Sequence, residues 1–272
     1  ETPPCETIHH FEINHDAQGL TCIVEPLTIK ACVDENCTGT MTTPTDIQIF
    51  ANGVLKKTVT ITGETETSFN HLVAETITLS SDQSYTCKNG SDTNCNISFA
   101  NAGFLLDVNT GADVPSCESV DFEIKAVKLS DSGVSCAPAF TGSQDLNFIF
   151  SYSNPTSGTK SPLINNANMA TSGQSQTRSI IFDATGKATL PVEYADAGIL
   201  TFTLSENVSS GVSSATINKD FIPAKIVLTA YKLDNTLLNN VTPDGNPKQV
   251  AADSFKFNYS GQCNDNTETS NY

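Results

Sequence analysis

Hydrophobic residues recur at every second position over most of this chain. Phe11 and Ile13 share a parity with His9 and His15 until Asp16-Ala17-Gln18-Gly19 ends the run. After Pro26, the positions Leu27, Ile29, Ala31 and Val33 alternate with Thr28, Lys30 and Cys32. A period of two is the mark of a β-strand with one buried face, and it places Cys32 on the other face, beside the turn that carries Cys37. Ile47 and Ile49 lead into Asn52-Gly53, a strong hairpin signal because both residues tolerate positive φ. Val54 to Ile61 returns from that turn, and Phe69, Val73, Ile77 and Leu79 continue the alternation. Farther on, Val120, Phe122, Ile124 and Ala126 form one such run, Leu146, Phe148, Phe150 and Tyr152 another, and Ala188, Leu190, Val192 and Tyr194 a third. Ile226, Leu228 and Ala230, with Phe255, Phe257 and Tyr259, predict two further strands.

One stretch occurs twice. Phe99-Ala-Asn-Ala-Gly-Phe-Leu105 returns as Tyr194-Ala-Asp-Ala-Gly-Ile-Leu200. Each copy predicts strand, tight corner, strand, with a Gly where positive φ is needed and an Asn or Asp able to close the corner through its side chain. Tyr194 resembles the tyrosine corner of immunoglobulin sandwiches, whose hydroxyl ties back to backbone. Two corners roughly one sandwich of about 100 residues apart predict tandem modules. The expected organisation is all-β, with disulfide-stabilised immunoglobulin-like sandwiches at residues 1–114 and 115–220 and the start of a truncated third β-domain at residues 221–272. Gly111-Ala-Asp-Val-Pro115 reads as a short, semi-rigid linker. The polar stretch from Ser161 to Arg178 reads as a long exposed loop of the kind that carries binding.

Nine cysteines sharpen the picture. Cys32 and Cys37, Cys87 and Cys95, and Cys117 and Cys136 are close pairs, which predicts disulfides and an oxidising compartment. Cys5 with Cys22 follows by elimination, and Cys263 is left unpaired. No pair of C-x-x-C units exists to hold zinc. A net charge of −16 with 14 Lys and Arg excludes a nucleic-acid partner and disfavours anionic membrane surfaces. No run approaches the roughly 18 apolar residues of a membrane span. Glu1-Thr-Pro-Pro-Cys-Glu6 lacks the basic start and apolar centre of a signal peptide, so the chain reads as a mature or excised segment of something larger.

The motifs His9-Phe-Glu-Ile13, Gly19-Leu-Thr-Cys22 and Glu25-Pro-Leu-Thr-Ile-Lys-Ala-Cys32-Val-Asp-Glu-Asn-Cys37 closely resemble MshQ-like proteins of mannose-sensitive haemagglutinin (MSHA) type IV pilus systems. Cys95-Asn-Ile-Ser-Phe-Ala-Asn-Ala-Gly-Phe104, Phe150-Ser-Tyr-Ser-Asn-Pro-Thr-Ser-Gly-Thr159 and Tyr194-Ala-Asp-Ala-Gly198 extend the likeness over nearly the whole chain. The resemblance implies a large modular bacterial protein, exported to the cell surface or a pilus, in pilus biogenesis or adhesion. It carries over no catalytic residue.

Candidate chemistry is sparse. His9 and His15 share a strand face but lie about 20 Å apart along it, too far for one ion. No G-x-S-x-G elbow accompanies the serines, and all four His lie within the first 71 residues, so nothing signals a hydrolase. Acidic turns at Asp34-Glu35-Asn36, Asp107-Val-Asn109-Thr-Gly-Ala-Asp113, Asp131-Ser-Gly133 and Asp244-Gly245-Asn246 offer oxygen ligands of the type calcium prefers. Asp107, Asn109 and Asp113, beside the expected linker, form the candidate Ca²⁺ site at the interdomain joint; no other cofactor is expected. The sparse chemistry predicts a non-enzymatic segment, and the resemblance implies a structural or adhesive one whose partners are further domains of its parent and other pilus or surface proteins. The alternative is a ligand-binding module contacting glycan or protein. The Ser161–Arg178 loop has no aromatic residue for sugar stacking.

Overall fold

The computed structural model describes residues 7–90, 92–108, 113–133, 135–207, 211–238 and 252–271. They form strands and no helix. The first module contains β1 (His10–Asn14), β2 (Gln18–Leu20), β3 (Glu25–Cys32), β4 (Thr45–Ala51), β5 (Val54–Ile61), β6 (Glu64–Phe69), β7 (Thr76–Ser81), β8 (Tyr85–Lys88) and β9 (Asn96–Ala100). One sheet runs β6-β3-β1-β8 and the facing sheet β2-β9-β7-β4-β5. Between them lies a core that includes Phe11, Ile13, Ile29, Ile47, Ile77 and Ile97, each fully buried. The alternation in β3 places Leu27, Ile29 and Ala31 in that core. Asn52 and Gly53 turn the β4–β5 hairpin with φ of 49° and 77°, and the Asn52 side chain accepts the Thr78 N–H at 2.9 Å.

The second module contains β10 (Ala102–Val108), β11 (Val114–Pro115), β12 (Ser119–Leu129), β13 (Cys136–Pro138), β14 (Gly142–Asn154), β15 (Leu163–Ile164), β16 (Ala167–Asn168), β17 (Gln176–Phe182), β18 (Lys187–Glu193), β19 (Gly198–Glu206), β20 (Val212–Ser213) and β21 (Ala215–Ile222). One sheet runs β16-β15-β18-β12-β10-β20, with β13 also on β12; the other runs β11-β21-β19-β14-β17. Phe122 and Phe202 meet edge to face across the sandwich at 5.1 Å.

The two corners do different work. At the second, β18 ends in one sheet and β19 begins in the other, so the corner moves the chain across one sandwich. Tyr194 is fully buried there, and where the sequence suggests a tie to backbone its hydroxyl accepts from the Asn271 side chain at 3.3 Å. Asp196 closes the corner, its Oδ1 accepting the Ala197 and Asn271 N–H groups at 2.9 and 3.0 Å. Gly198 holds φ at 136°, and an added Cβ would lie 2.6 Å from the Asn154 carbonyl oxygen. Gly198→Ala is therefore expected to cost about 2–4 kcal/mol, from backbone strain and a clash that no side-chain motion relieves, read as a lowered urea midpoint.

At the first corner β9 belongs to the first module, whereas β10 pairs with β12 from Ala102↔Lys128 to Val108↔Phe122. The first module thus ends at the corner, and the boundary expected at residue 114 moves forward. The corner itself is the intermodule connection. Of the residues expected as a linker, Val114 and Pro115 lie within the second module, where Val114 is buried and β11 pairs with β21; Gly111 and Ala112 lie outside the described residues. Gly103 is needed for close approach, not for positive φ: its missing Cβ would sit 2.6 Å from Leu20 and 2.7 Å from Ser213.

The Ser161–Arg178 stretch is not an exposed loop. β15 and β16 form a small hairpin on the edge of β18, burying Ile164 and Met169 in the second core. Beyond the second module, β22 (Lys225–Lys232) and β23 (Phe255–Gln262) form a two-stranded sheet among the described residues. Ile226, Leu228, Phe257 and Tyr259 make an exposed apolar face on this hairpin. The following segment folds back on the second module, where the Lys160 ammonium donates to the Ala195 and Glu268 carbonyls.

Candidate functional site

The joint between the modules carries the features that packing alone does not require. The chain crosses it once at Ala100-Asn101-Ala102, and a disulfide crosses it again, joining Cys22 to Cys136 with Cα atoms 4.9 Å apart. This pairing corrects the expected Cys117–Cys136 and Cys5–Cys22 bridges. Cys117 lies before β12, while Cys136 pairs through β13 with Leu129 at its far end. About ten strand residues, roughly 33 Å, separate them, and a disulfide needs Cα atoms within about 7 Å. Cys117 instead joins Cys263, the cysteine expected to be unpaired, and so ties the C-terminal segment to the second module. Cys22 is not bonded to Cys5, which lies outside the described residues. The two short-range bridges are present: Cys32–Cys37, five residues apart, and Cys87–Cys95, eight apart.

Around the staple the backbone is closely tied. The Thr21 N–H donates to the Ala100 carbonyl at 3.0 Å, and the Thr21 hydroxyl reaches the Asn101 side chain at 3.4 Å. Beside it opens a cleft of about 580 Å³. The first module lines it with the segments around Asp16–Leu20 and Ile23–Pro26, the second with Phe104–Leu106 and Ser213–Thr216. Leu20, Ile23, Pro26, Phe104 and Leu106 make its apolar wall.

Glu25 is the unusual member of this lining. As the first residue of β3 it shares the core parity of Leu27, Ile29 and Ala31, and it is only 3% exposed. Its Oε1 has no hydrogen-bond partner. Burial first, and the nearby Asp16 carboxylate second, push its acid up to about 8. A carboxylic acid held neutral in a cleft, with an unsatisfied oxygen, is a recognised sign of a functional position. Sequence reading passed over it, although a signal was present: Glu25 is the one charged residue on the buried parity of its strand.

Of the expected calcium residues, Asp107 and Asp113 can be placed, and both belong to the second module. Asp107, near the end of β10, and Asp113, just before β11, are exposed, and β10 and β11 belong to different sheets of the second module; Asn109 lies outside the described residues. Asp107 stands opposite Glu123 in the β10–β12 register. Asp34 is a turn staple: its two oxygens accept from the Asn36, Thr38 and Gly39 N–H groups and the Thr38 hydroxyl, which holds its carboxyl down to about 2. Asp244-Gly245-Asn246 lies outside the described residues. His15 is engaged by the Asn94 carbonyl and the Ala17 N–H. Among the described residues, His10, Glu12 and Cys32 come close enough to share a metal ion, within 4.8 Å. The Cys32 sulfur is committed to Cys37 and the Glu12 carboxylate pairs with the Lys88 ammonium, so two of the three ligands are already in use.

Tandem immunoglobulin-like β-sandwiches, clipped by four disulfides among the described residues, define the class of this protein. Residues 84–220 match the family described as a domain of unknown function (DUF6701), first Ig-like domain, and the chain belongs to that family. Residues 8–101 match a second domain of unknown function, DUF8613, and this match ends on Asn101 at the first corner. No curated protein matches the chain. Among solved structures, the Yersinia pseudotuberculosis adhesin InvE is similar at 14% identity and a TM-score of 0.31, over 78% of this chain and 58% of InvE. The D0–D1 domain of intimin is similar at 10% identity and a TM-score of 0.36, over 79% of this chain and 98% of that one. A β-glycosidase from Bacteroides vulgatus is similar at 14% identity and a TM-score of 0.27, over 72% of this chain and 22% of that enzyme.

Proposed function

We propose that the chain is a non-enzymatic spacer or adhesive segment of a bacterial surface protein working in a type IV pilus system of the mannose-sensitive haemagglutinin kind. The observation that carries the reading is the covalent Cys22–Cys136 closure of the intermodule joint beside a one-residue connection. A joint fixed twice holds two sandwiches as a stiff rod, which suits projection from a surface, whereas a catalytic role would call for a polar, convergent site. The sequence motifs shared with MshQ-like proteins supply the pilus assignment. The β22–β23 hairpin belongs to a third β-module, because its apolar face is exposed and a two-stranded hairpin is marginal without further strands or a packing layer. Shearing pili from cells that make the parent protein tests the placement. Co-purification of the protein with the sheared filaments is the expected result, and its retention in the cell envelope removes the pilus-borne role.

A further inference from the structure

We infer that the intermodule cleft is a binding site for an ammonium group on an apolar stem, the chemistry of an alkylamine or a lysine side chain, with Glu25 as the acceptor. The inference is independent of the pilus reading and stands on the cleft alone. Its volume, about 580 Å³, is that of a small-ligand site. Its walls combine an apolar surface, Leu20, Ile23 and Phe104, with two carboxyl groups, Asp16 and Glu25, and among the described residues no lysine or arginine lines it. An anion would find no positive partner there, and a wholly apolar ligand would leave the Glu25 oxygen as unsatisfied as before. That oxygen is buried and unpartnered, so a donor brought to it gains a hydrogen bond that neither the protein nor a partner side chain supplies. A cation gains more, because the bond becomes charge-assisted as the carboxyl ionises. Asp16 is the charged group that acts on Glu25 from the facing β1–β2 turn, and its negative charge adds to the attraction for a cation.

Proton balance gives the site a signature. Glu25 is neutral below about pH 8, so an ammonium ion that binds the carboxylate releases the Glu25 proton to solvent. Affinity then rises with pH, approaching tenfold per unit between about pH 6 and about pH 8, and levels off above. A ligand held only by the apolar wall shows no such slope.

The test titrates the isotope-labelled full chain, followed by amide NMR, with n-hexylammonium, with hexanol, and with Nα-acetyl-lysine methylamide. We expect n-hexylammonium to shift the amides of Gly19, Leu20, Leu105 and Ser213 and to bind at least tenfold more tightly than hexanol. Glu25→Gln should remove that preference and flatten the pH slope while leaving hexanol binding unchanged; Asp16→Asn should weaken the ammonium a few-fold. Binding of the lysine amide as tightly as n-hexylammonium assigns the site to lysine displayed on a polypeptide, and binding of the free amine alone assigns it to small cations. Equal affinity for hexylammonium and hexanol, shifts confined to other surfaces, or a wild-type affinity that does not rise with pH overturns the proposal, and this last measurement needs no variant to fold.

Discussion

Glu25→Gln is expected to stabilise the protein, and to do so increasingly as the solution becomes alkaline. Glu25 is 3% exposed and its acid is raised from an ordinary 4.5 to about 8, first by burial and then by Asp16. A group whose folded pKa lies above its unfolded one binds more protons in the native state between the two values. Native stability is therefore fully present below about pH 4.5 and is lost progressively as the pH climbs to about 8, after which the loss is constant. At about 1.4 kcal/mol per unit, the penalty above pH 8 is on the order of 3–5 kcal/mol. Glutamine keeps the shape and cannot ionise, so it removes the penalty. Urea unfolding of the two proteins should give nearly equal midpoints at about pH 4 and a gap that widens to several kcal/mol at about pH 9. Parallel pH profiles would show that Glu25 ionises freely in the native state, and the account of its burial would then be wrong.

A residue that costs stability under neutral conditions is an instance of where sequence logic gives way. Period-two alternation found β1, β3, β4, β12, β14 and β18, because burial of one sheet face writes itself locally into parity, and Asn52-Gly53 announced its hairpin through the positive φ it supplies. Glu25 broke the same parity rule, and that violation was the legible trace of the cleft. What local pattern cannot carry is the destination of a strand. The two corners share chemistry almost residue for residue, yet β10 joins a new module while β19 joins the facing sheet of the same one. Which of these happens is set by what β10 and β19 meet, Lys128 to Phe122 in one case and Tyr152 to Leu146 in the other. The cysteines divide the same way. Partners five and eight residues apart need only a turn to meet, so spacing reveals them. Cys22 and Cys136 meet only after the two modules have folded and docked, and Cys117 and Cys263 only after the C-terminal segment has folded back on the second module. The polar run from Ser161 to Arg178 hid two buried anchors, Ile164 and Met169, among neighbours whose composition spoke for solvent.

Opening the joint covalently should have the largest effect of any cysteine change at a first-module residue. In the Cys22→Ser/Cys136→Ser variant a bridge spanning 114 residues is lost, and in Cys32→Ser/Cys37→Ser one spanning five. The entropy returned to the unfolded chain grows with the logarithm of loop length, giving about 5 kcal/mol for the long bridge against about 2 kcal/mol for the short one. The long bridge also restrains a native interface, since Leu20 packs within contact of Gly103 and the Thr21 N–H donates to Ala100 beside it. Removal should therefore split one cooperative melt into two, with the first module melting at the lower temperature, and should speed hydrogen exchange at Thr21 while leaving Ile29 in the core of β3 protected. A short-bridge variant should keep the single transition. If losing Cys22–Cys136 costs less than losing Cys32–Cys37 and the melt stays single, the corner at Asn101 alone fixes the two sandwiches and the staple adds nothing to the stiffness of the rod.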